Sequence, residues 1–235
     1  MNLKEYHTVT IIDIIDETPV VKRFFLQFNQ SIVFLSGQFV ILKFEGLQHQ
    51  FDTRSYSIAD FTFSNIIEIC ISLKLDGAAT PILFSKKIGD TLSSTSPQGR
   101  FILHEESILK PHYFICTGTG VAPFRSMIKD LLIFRNFKQP IQLYFGCRTQ
   151  IDLLYHKEFL ELENQYPNFN YNPILSREKW DGKMGYVHPY YLAELENKPD
   201  AIFYLCGWTT MLKETRENLK AIGYERKDIK VEFYD

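Results

Sequence analysis

The chain has 235 residues, a formal net charge of −2 and 45% hydrophobic residues, enough for one large domain or two modest ones with real cores. The near-neutral balance excludes a nucleic-acid binder that depends on a basic surface, and no apolar run reaches membrane-spanning length. Met1-Asn-Leu-Lys-Glu-Tyr-His7 lacks the regions of a signal peptide, and Cys70, Cys116, Cys147 and Cys206 stand singly without CxxC spacing. The expectation is therefore a cytoplasmic chain with no transmembrane segment, disulfide or metal site.

The first half predicts short strands over Thr8–Ile15, Val20–Phe28, Gln38–Phe44, Thr53–Ala59, Ile66–Lys74 and Thr91–Leu103, separated by turn residues such as Ser36-Gly37 and Gly89-Asp90. One helical piece, Thr80–Lys87, interrupts them. Six short strands with so little helix predict a small antiparallel β-barrel. The pattern changes near Glu105–Pro111. Strands over Tyr113–Thr117, Ile141–Cys147, Asn170–Leu175, Ile202–Cys206 and Lys230–Tyr234 then alternate with helices near Pro123–Phe134, His156–Gln165, Pro189–Glu196 and Thr210–Ile222. Such alternation predicts an α/β domain with a doubly wound parallel sheet, which binds ligands at the carboxyl ends of its strands. The division drawn is 1–108 and 109–235.

The stretch Cys116-Thr-Gly-Thr-Gly-Val-Ala-Pro-Phe-Arg-Ser126 joins a buried strand to a helix through glycines. Glycines let a backbone approach an anion, helix amides donate to it, and Pro123 suits a first helical turn. An ordinary tight turn has the same local pattern, and the flanking strand and helix favour a nucleotide site. Upstream, Arg54-Ser55-Tyr56-Ser57 places an arginine fork and a phenol on one face of an extended segment, suited to a phosphate and a flat ring. Ser57 faces the other way unless the strand kinks. Standing alone, this segment fits a solvated edge strand as well.

Gly77-Ala78-Ala79-Thr80-Pro81 has the form of a capped helix start that admits an anion. At the end of a later strand, Ser176-Arg177 can grip a phosphomonoester such as the 2′-phosphate of NADP, with Trp180, Lys183 and Tyr186 adding ring surface and charge. Cys206-Gly207-Trp208 ends another strand at the same sheet edge, where Cys206 is either a small core residue or a group facing a cofactor. The ending Val231-Glu-Phe-Tyr-Asp235 is an odd place for exposed aromatics unless something flat lies beneath them. Strand alternation predicts that Phe233 packs against its own domain.

Taken in order, Arg54-x-Tyr56-Ser57, Gly118-Thr-Gly120-Val-Ala-Pro123-Phe-Arg125-Ser, Ser176-Arg177 and Cys206-Gly207-x-x-Met211 resemble the ferredoxin–NADP(+) reductase superfamily, from about Val9 to Tyr234. The resemblance implies a flavin barrel joined to a nucleotide domain. It implies that Arg54 binds the FAD pyrophosphate, Tyr56 stacks on the isoalloxazine, Ser57 lies near flavin N5, and Ser55 belongs to the same cofactor-binding set. Thr80 is then the cap of a helix facing the pyrophosphate, with Gly77, Ala78 and Ala79 before it. Thr117, Gly118, Thr119, Gly120, Val121 and Pro123 cradle the nicotinamide dinucleotide. Arg148, Ser176, Arg177, Tyr186, Gly207 and Met211 complete the coenzyme set.

The ending is similar to plant-type members, so Ser57, Cys206, Glu232 and Tyr234 are the implied catalytic set, with Tyr234 over the flavin. Three departures stand out. Asp235 follows the tyrosine, Gly77-Ala-Ala-Thr80 replaces a glycine-x-x-serine pattern, and Trp208 fills a position usually held by something smaller. The implied activity is hydride transfer between NADP(H), or less readily NAD(H), and FAD. A separate acceptor follows, ferredoxin or flavodoxin, since 235 residues leave no room for a fused redox domain. The alternatives are a reductase component of an oxygenase, a free-flavin or quinone reductase, and a redox-inert nucleotide-sensing module. A monomer is expected.

Overall fold

The computed structural model describes residues 5–44, 53–62, 64–105 and 108–234; Met1–Lys4 and Asp235, quoted above, lie outside them. The chain forms two compact units, Met1–Leu103 with Ala122–Asp130, and His104–Val121 with Leu131–Asp235. Neither unit is contiguous in sequence, unlike the division at 108.

In the first unit, β1 (Tyr6–Thr18), β2 (Val21–Phe28), β3 (Phe39–Lys43), β4 (Thr53–Ser57), β5 (Ile66–Ser72) and β6 (Thr91–Thr95) form an antiparallel sheet of order β4-β3-β6-β1-β2-β5. A bridge between Ile58 and Ile69 links the two ends of that order into a barrel. Alternation sends Phe24, Leu26, Val40, Leu42, Ile67 and Ile69 into one core. The expected strand Thr91–Leu103 stops at Thr95. Pro97 has no amide to donate, and Gly99 turns the chain at φ +123°; only Gln98 still pairs, exchanging both backbone bonds with Phe39 at 2.9 Å. The short helix α1 is Thr80–Ser85.

The same alternation puts Glu68 on the outer face of β5, where it is only 2% exposed. Helix α2 (Val121–Lys129) supplies its cover. The Arg125 guanidinium, 4% exposed, donates to Glu68 Oε2 at 3.0 Å and to the Ala59 carbonyl at 2.9 Å. Arg23 closes the cluster from β2, its Nε 2.6 Å from Glu68 Oε1. Lys129 pairs with Asp60, and Ser36 donates to Asp130 at 2.7 Å. Residues Asp130–Phe134 continue α2 as a π-helical turn.

In the second unit, β7 (His112–Thr117), β8 (Ile141–Cys147), β9 (Phe169–Leu175), β10 (Lys183–Met184), β11 (Ile202–Gly207) and β12 (Ile229–Phe233) pair in parallel, in the order β10-β9-β8-β7-β11-β12. Helices α3 (His156–Gln165), α4 (His188–Glu194) and α5 (Thr209–Ile222) connect them. The chain lays strands outward on one side of β7, then returns to lay β11 and β12 on the other. The switch point of this doubly wound sheet therefore lies between the carboxyl ends of β7 and β11. The two-residue β10 is too short to show a sequence period.

His112, at the start of β7, is 1% exposed among aromatic rings, 5.0 Å from Phe137 and 5.7 Å from Tyr204. Its Nδ1–H donates to the Lys110 carbonyl at 2.8 Å. Burial lowers its pKa to about 4 from the usual 6.5.

Two predictions follow from these buried groups. The Glu68→Gln variant leaves two guanidinium groups with half their countercharge and should lose about 3 kcal/mol of stability in urea unfolding; an unchanged midpoint would contradict the anchoring role. For His112, only the unfolded chain takes up a proton between pH 6.5 and 4. Stability should therefore fall by on the order of 3 kcal/mol across that window and level off below it. A melting profile equally steep in His112→Phe would assign the loss to other groups.

Candidate functional site

Each unit carries part of the expected site. In the barrel, β4 places Arg54 opposite Leu42 and Tyr56 opposite Val40. Arg54 and Ser55 are exposed, Tyr56 is half-buried with its ring against the barrel core, and Ser57 is buried. Arg54 Nη1 donates to the Thr53 carbonyl at 2.8 Å. Burial raises the Tyr56 phenol pKa while the Arg54 charge lowers it, and burial dominates. Ser57 itself is still in register, paired with Phe39. Directly after it the strand exchanges partners: Ile58 N donates to Gln38 O at 2.9 Å and Ala59 N to Glu68 O at 2.8 Å.

The loop Gly77–Thr80 corrects one expectation. Thr80 is not a cap: the helix begins at Thr80, and Ala79 before it makes no side-chain cap bond. The Thr80 hydroxyl is committed across the loop, donating to Lys74 O at 3.0 Å and accepting from Lys74 N at 2.9 Å. Gly77 N also donates to Lys74 O, and Ala79 is buried in the barrel core. Ala78 is half-exposed.

In the second unit, three glycines at the switch point do different work. Gly118 sits at φ +55° and opens a single turn of 3-10 helix, Gly118–Gly120, ahead of α2. A Cβ there would meet nothing nearer than Trp208 Nε1 at 3.9 Å, so its front is open. Gly120 and Gly207 instead serve close packing. A Cβ on Gly120 would lie 2.6 Å from the Cys206 carbonyl oxygen, and one on Gly207 (φ +130°) only 2.4 Å from Thr117 Oγ1. Thr117 Oγ1 also accepts from Trp208 N at 3.0 Å. Thr119 is half-exposed, while Val121 and Pro123 are buried. Glycine thus leaves open space at one position and lets the ends of β7 and β11 meet at the other two.

The register of β12 on β11 puts Glu232 beside Cys206 and Phe233 beside Gly207. Tyr234 hydrogen-bonds the Cys206 side chain. Burial and the Glu232 charge push the Cys206 thiol well above its ordinary pKa, so it stays protonated. Three of the four residues expected to be catalytic therefore meet at one sheet edge. Phe233 does not pack inward as expected. It is 46% exposed, at the end of the edge strand β12.

Arg148 and Arg177, both exposed, follow neighbouring strands β8 and β9, and Arg177 N donates to Arg148 O at 2.9 Å. The Arg148 guanidinium lies 5.4 Å over the Trp208 ring, which is 62% exposed. Ser176 Oγ donates to the Cys147 carbonyl at 3.1 Å, and Tyr186 is 74% exposed. Lys183 departs from the expected positive surface: it bonds Asn172 and lies over the Tyr144 and Tyr190 rings. Trp180 is tied to the Lys183 carbonyl at 2.8 Å. Met211 is a core residue of α5, 7% exposed. Among the described residues no cluster of His, Cys, Asp and Glu could hold a metal ion, and no helix is long and apolar enough to cross a membrane.

Two family models match the chain. One described as an oxidoreductase FAD-binding domain matches residues 9–102, and one described as an oxidoreductase NAD-binding domain matches residues 114–217. The chain belongs to the ferredoxin–NADP(+) reductase superfamily. It is 31% identical over 238 residues to the phenol hydroxylase P5 protein of Acinetobacter pittii, covering 98% of this chain and 66% of that one. It is 30% identical over 220 residues to the anthranilate 1,2-dioxygenase electron transfer component of Acinetobacter baylyi, covering 91% and 62%. The chain thus spans less than two thirds of the length of these relatives. A ferredoxin NADP+ reductase from Neisseria gonorrhoeae, solved with FAD and NADP bound, shares the fold at a TM-score of 0.84 and 22% identity, over 98% of this chain and 99% of that one.

The sequence reading missed Glu68 as the partner of Arg125. Its signal was a single carboxylate inside the apolar run Ile66-Ile-Glu-Ile-Cys-Ile71.

The fused strand ends give a prediction. Gly207→Ala forces a side chain onto a left-handed backbone position and into Thr117, at a cost of about 2–4 kcal/mol. Its thermal midpoint should drop and coenzyme affinity should fall, while flavin content stays unchanged. Wild-type stability and affinity would show that the backbone yields there.

Proposed function

We propose that this chain is an FAD-dependent NAD(P)H oxidoreductase that delivers electrons to a separate protein acceptor of the ferredoxin or flavodoxin kind. The observation that carries this reading is the meeting of Cys206, Glu232 and Tyr234 beside the open Gly118 turn at the switch point. The donor chemistry fits both cofactors. Arg54 offers an exposed guanidinium for a pyrophosphate, and the Tyr56 ring offers a flat apolar surface. Gly118 admits a diphosphate with no Cβ in its way, and Arg148 and Arg177 offer cations for the adenylate end.

When bound, FAD supplies the chemistry of a group that takes up two electrons with a hydride and releases them singly. The protein binds, orients and protects. Ser57 is held inside the barrel wall at the point where β4 changes partner. The Cys206 thiol remains neutral and serves as a hydrogen-bond partner for Tyr234, not as a nucleophile. Glu232 places a carboxylate next to that thiol in the register. NADPH is the coenzyme proposed, since exposed Arg177 is suited to a 2′-phosphate. A second reading, the electron-transfer component of an oxygenase, draws support from the two Acinetobacter relatives, whose names describe such systems.

The flavin absorption of purified protein should bleach on adding NADPH without oxygen, and the reduced protein should then reduce a ferredoxin or flavodoxin. No bleaching with either NADPH or NADH would favour a redox-inert nucleotide sensor. Transfer only to an oxygenase component would favour the second reading, and transfer only to free flavin or quinone would overturn the protein acceptor. In Arg177→Ala the KM for NADPH should rise by roughly 10- to 100-fold, the worth of a charged phosphate contact, with NADH little changed. Equal effects on both coenzymes, or a wild type that prefers NADH, would refute the NADPH assignment.

A further inference from the structure

The second unit has a concave surface that the proposed function does not use. A cavity of about 220 Å³ lies between α5 and β12, lined by Arg216, Lys220, Arg226, Ile229 and Val231. Arg216 and Lys220 are one helical turn apart on the same face of α5. Arg226 comes from the 3-10 turn Arg226–Asp228 that leads into β12. Ile229, 7% exposed, and Val231 line the same cavity as apolar groups.

Three cations line one small cavity, and no carboxylate of the described residues forms an ion pair with any of them. The neighbouring acids are engaged elsewhere. Glu225 pairs with Lys227 at 3.0 Å, the Asp228 carboxylate accepts from Glu225 N at 3.0 Å, and Glu214 pairs with His188 at 2.9 Å. Glu217, between Arg216 and Lys220 in sequence, makes no ion pair with either. Elsewhere the fold matches half-buried Arg23 and buried Arg125 with carboxylates. Here Arg216 is half-buried and Lys220 and Arg226 are exposed, so like charges face one space that water and a bound anion can both reach.

The cavity lies away from the coenzyme end of the sheet. Ile229 pairs with Phe203 at the amino end of β12, whereas Phe233 pairs with Gly207 beside the glycine turn. Those ends are four residues apart, roughly 13 Å along a strand. Lys220 is in the last turn of α5, and Thr209, next to Trp208, is in the first. Its size falls below the roughly 300 Å³ at which pockets for drug-sized ligands begin. It suits a small group with several oxygens, held by two guanidinium forks and an ammonium, with a short apolar part against Ile229 and Val231.

We propose that this cavity is a second anion site, separate from the coenzyme cradle, which takes the phosphoryl group of a small molecule. The shared chemistry has two sources, free inorganic pyrophosphate and a small phosphate ester, and glycerol 3-phosphate is a probe for the latter. Calorimetric titration of the flavin-loaded protein with each probe, at low salt and with saturating NADP+ present, should show one site. Tighter binding of glycerol 3-phosphate would assign the apolar groups to the ligand's carbon part; tighter pyrophosphate would assign the site to the inorganic anion. Arg216→Gln and Arg226→Gln should each weaken it about tenfold or more, as the loss of a charge-assisted contact does. Lys227→Gln, on the same turn but already paired with Glu225, should leave it unchanged. Lys220→Gln provides a further variant, and the flavin spectrum reports that each variant is folded. If neither probe binds saturably, or if binding is abolished by NADP+ or survives both arginine changes, the proposal is wrong. The cations then serve only to solvate the helix end and guard the edge strand. None of these outcomes depends on whether the protein turns over NADPH.

Discussion

Glu68 is the point on which the first unit depends. A carboxylate with 2% exposure is shielded from solvent, and Arg23 and Arg125 reach it from two different elements. Arg125 belongs to a helix that begins directly after the glycine turn, and its other hydrogen bond goes to the Ala59 carbonyl, where the β4 strand has just changed partner. One buried acid thereby fixes the position of α2 and the bend behind Ser57. Apolar residues of matching shape could fill the same space, but they would not specify which face of α2 is down.

The second unit is organised by a different constraint, the near contact of two strand ends. Gly207 and Gly120 have no Cβ because the backbone of the neighbouring strand end occupies that place. This proximity brings Thr117 to the amide of Trp208 and leaves Gly118, alone of the three, facing open space. Close packing and open space thus occupy alternate positions of one short motif. The parallel register then carries Cys206 and Glu232 to the same edge, where burial keeps the thiol neutral.

Much of this was legible in the sequence, for identifiable reasons. Strand Ile141–Cys147 and helix His156–Gln165 have the boundaries expected of them, since turn residues and apolar period coincide there. The parallel sheet followed from alternation alone, and Arg54-x-Tyr56-Ser57 marked the barrel strand that carries it. What failed were features decided by partners distant in sequence. Thr80 has the chemistry of a cap, yet Lys74 claims its hydroxyl. Lys183 looked like surface charge, but Asn172 lies within its reach. Phe233 alternates correctly and is still exposed, because alternation names a face and cannot say whether anything covers it. The packing of α2 on the barrel has no local signature, since it rests on a carboxylate 57 residues upstream of Arg125.

The pairing of Arg148 with Trp208 has an optical consequence. The chain has only two tryptophans, and Trp180 donates its indole N–H to a backbone carbonyl within its own loop. Trp208 is the exposed one, with a guanidinium over its ring and its Nε1 nearest to the open front of Gly118. A molecule settling on that turn changes the polarity around one indole and leaves the other in its loop. The protein therefore carries its own fluorescent reporter beside the glycine turn, readable without a label.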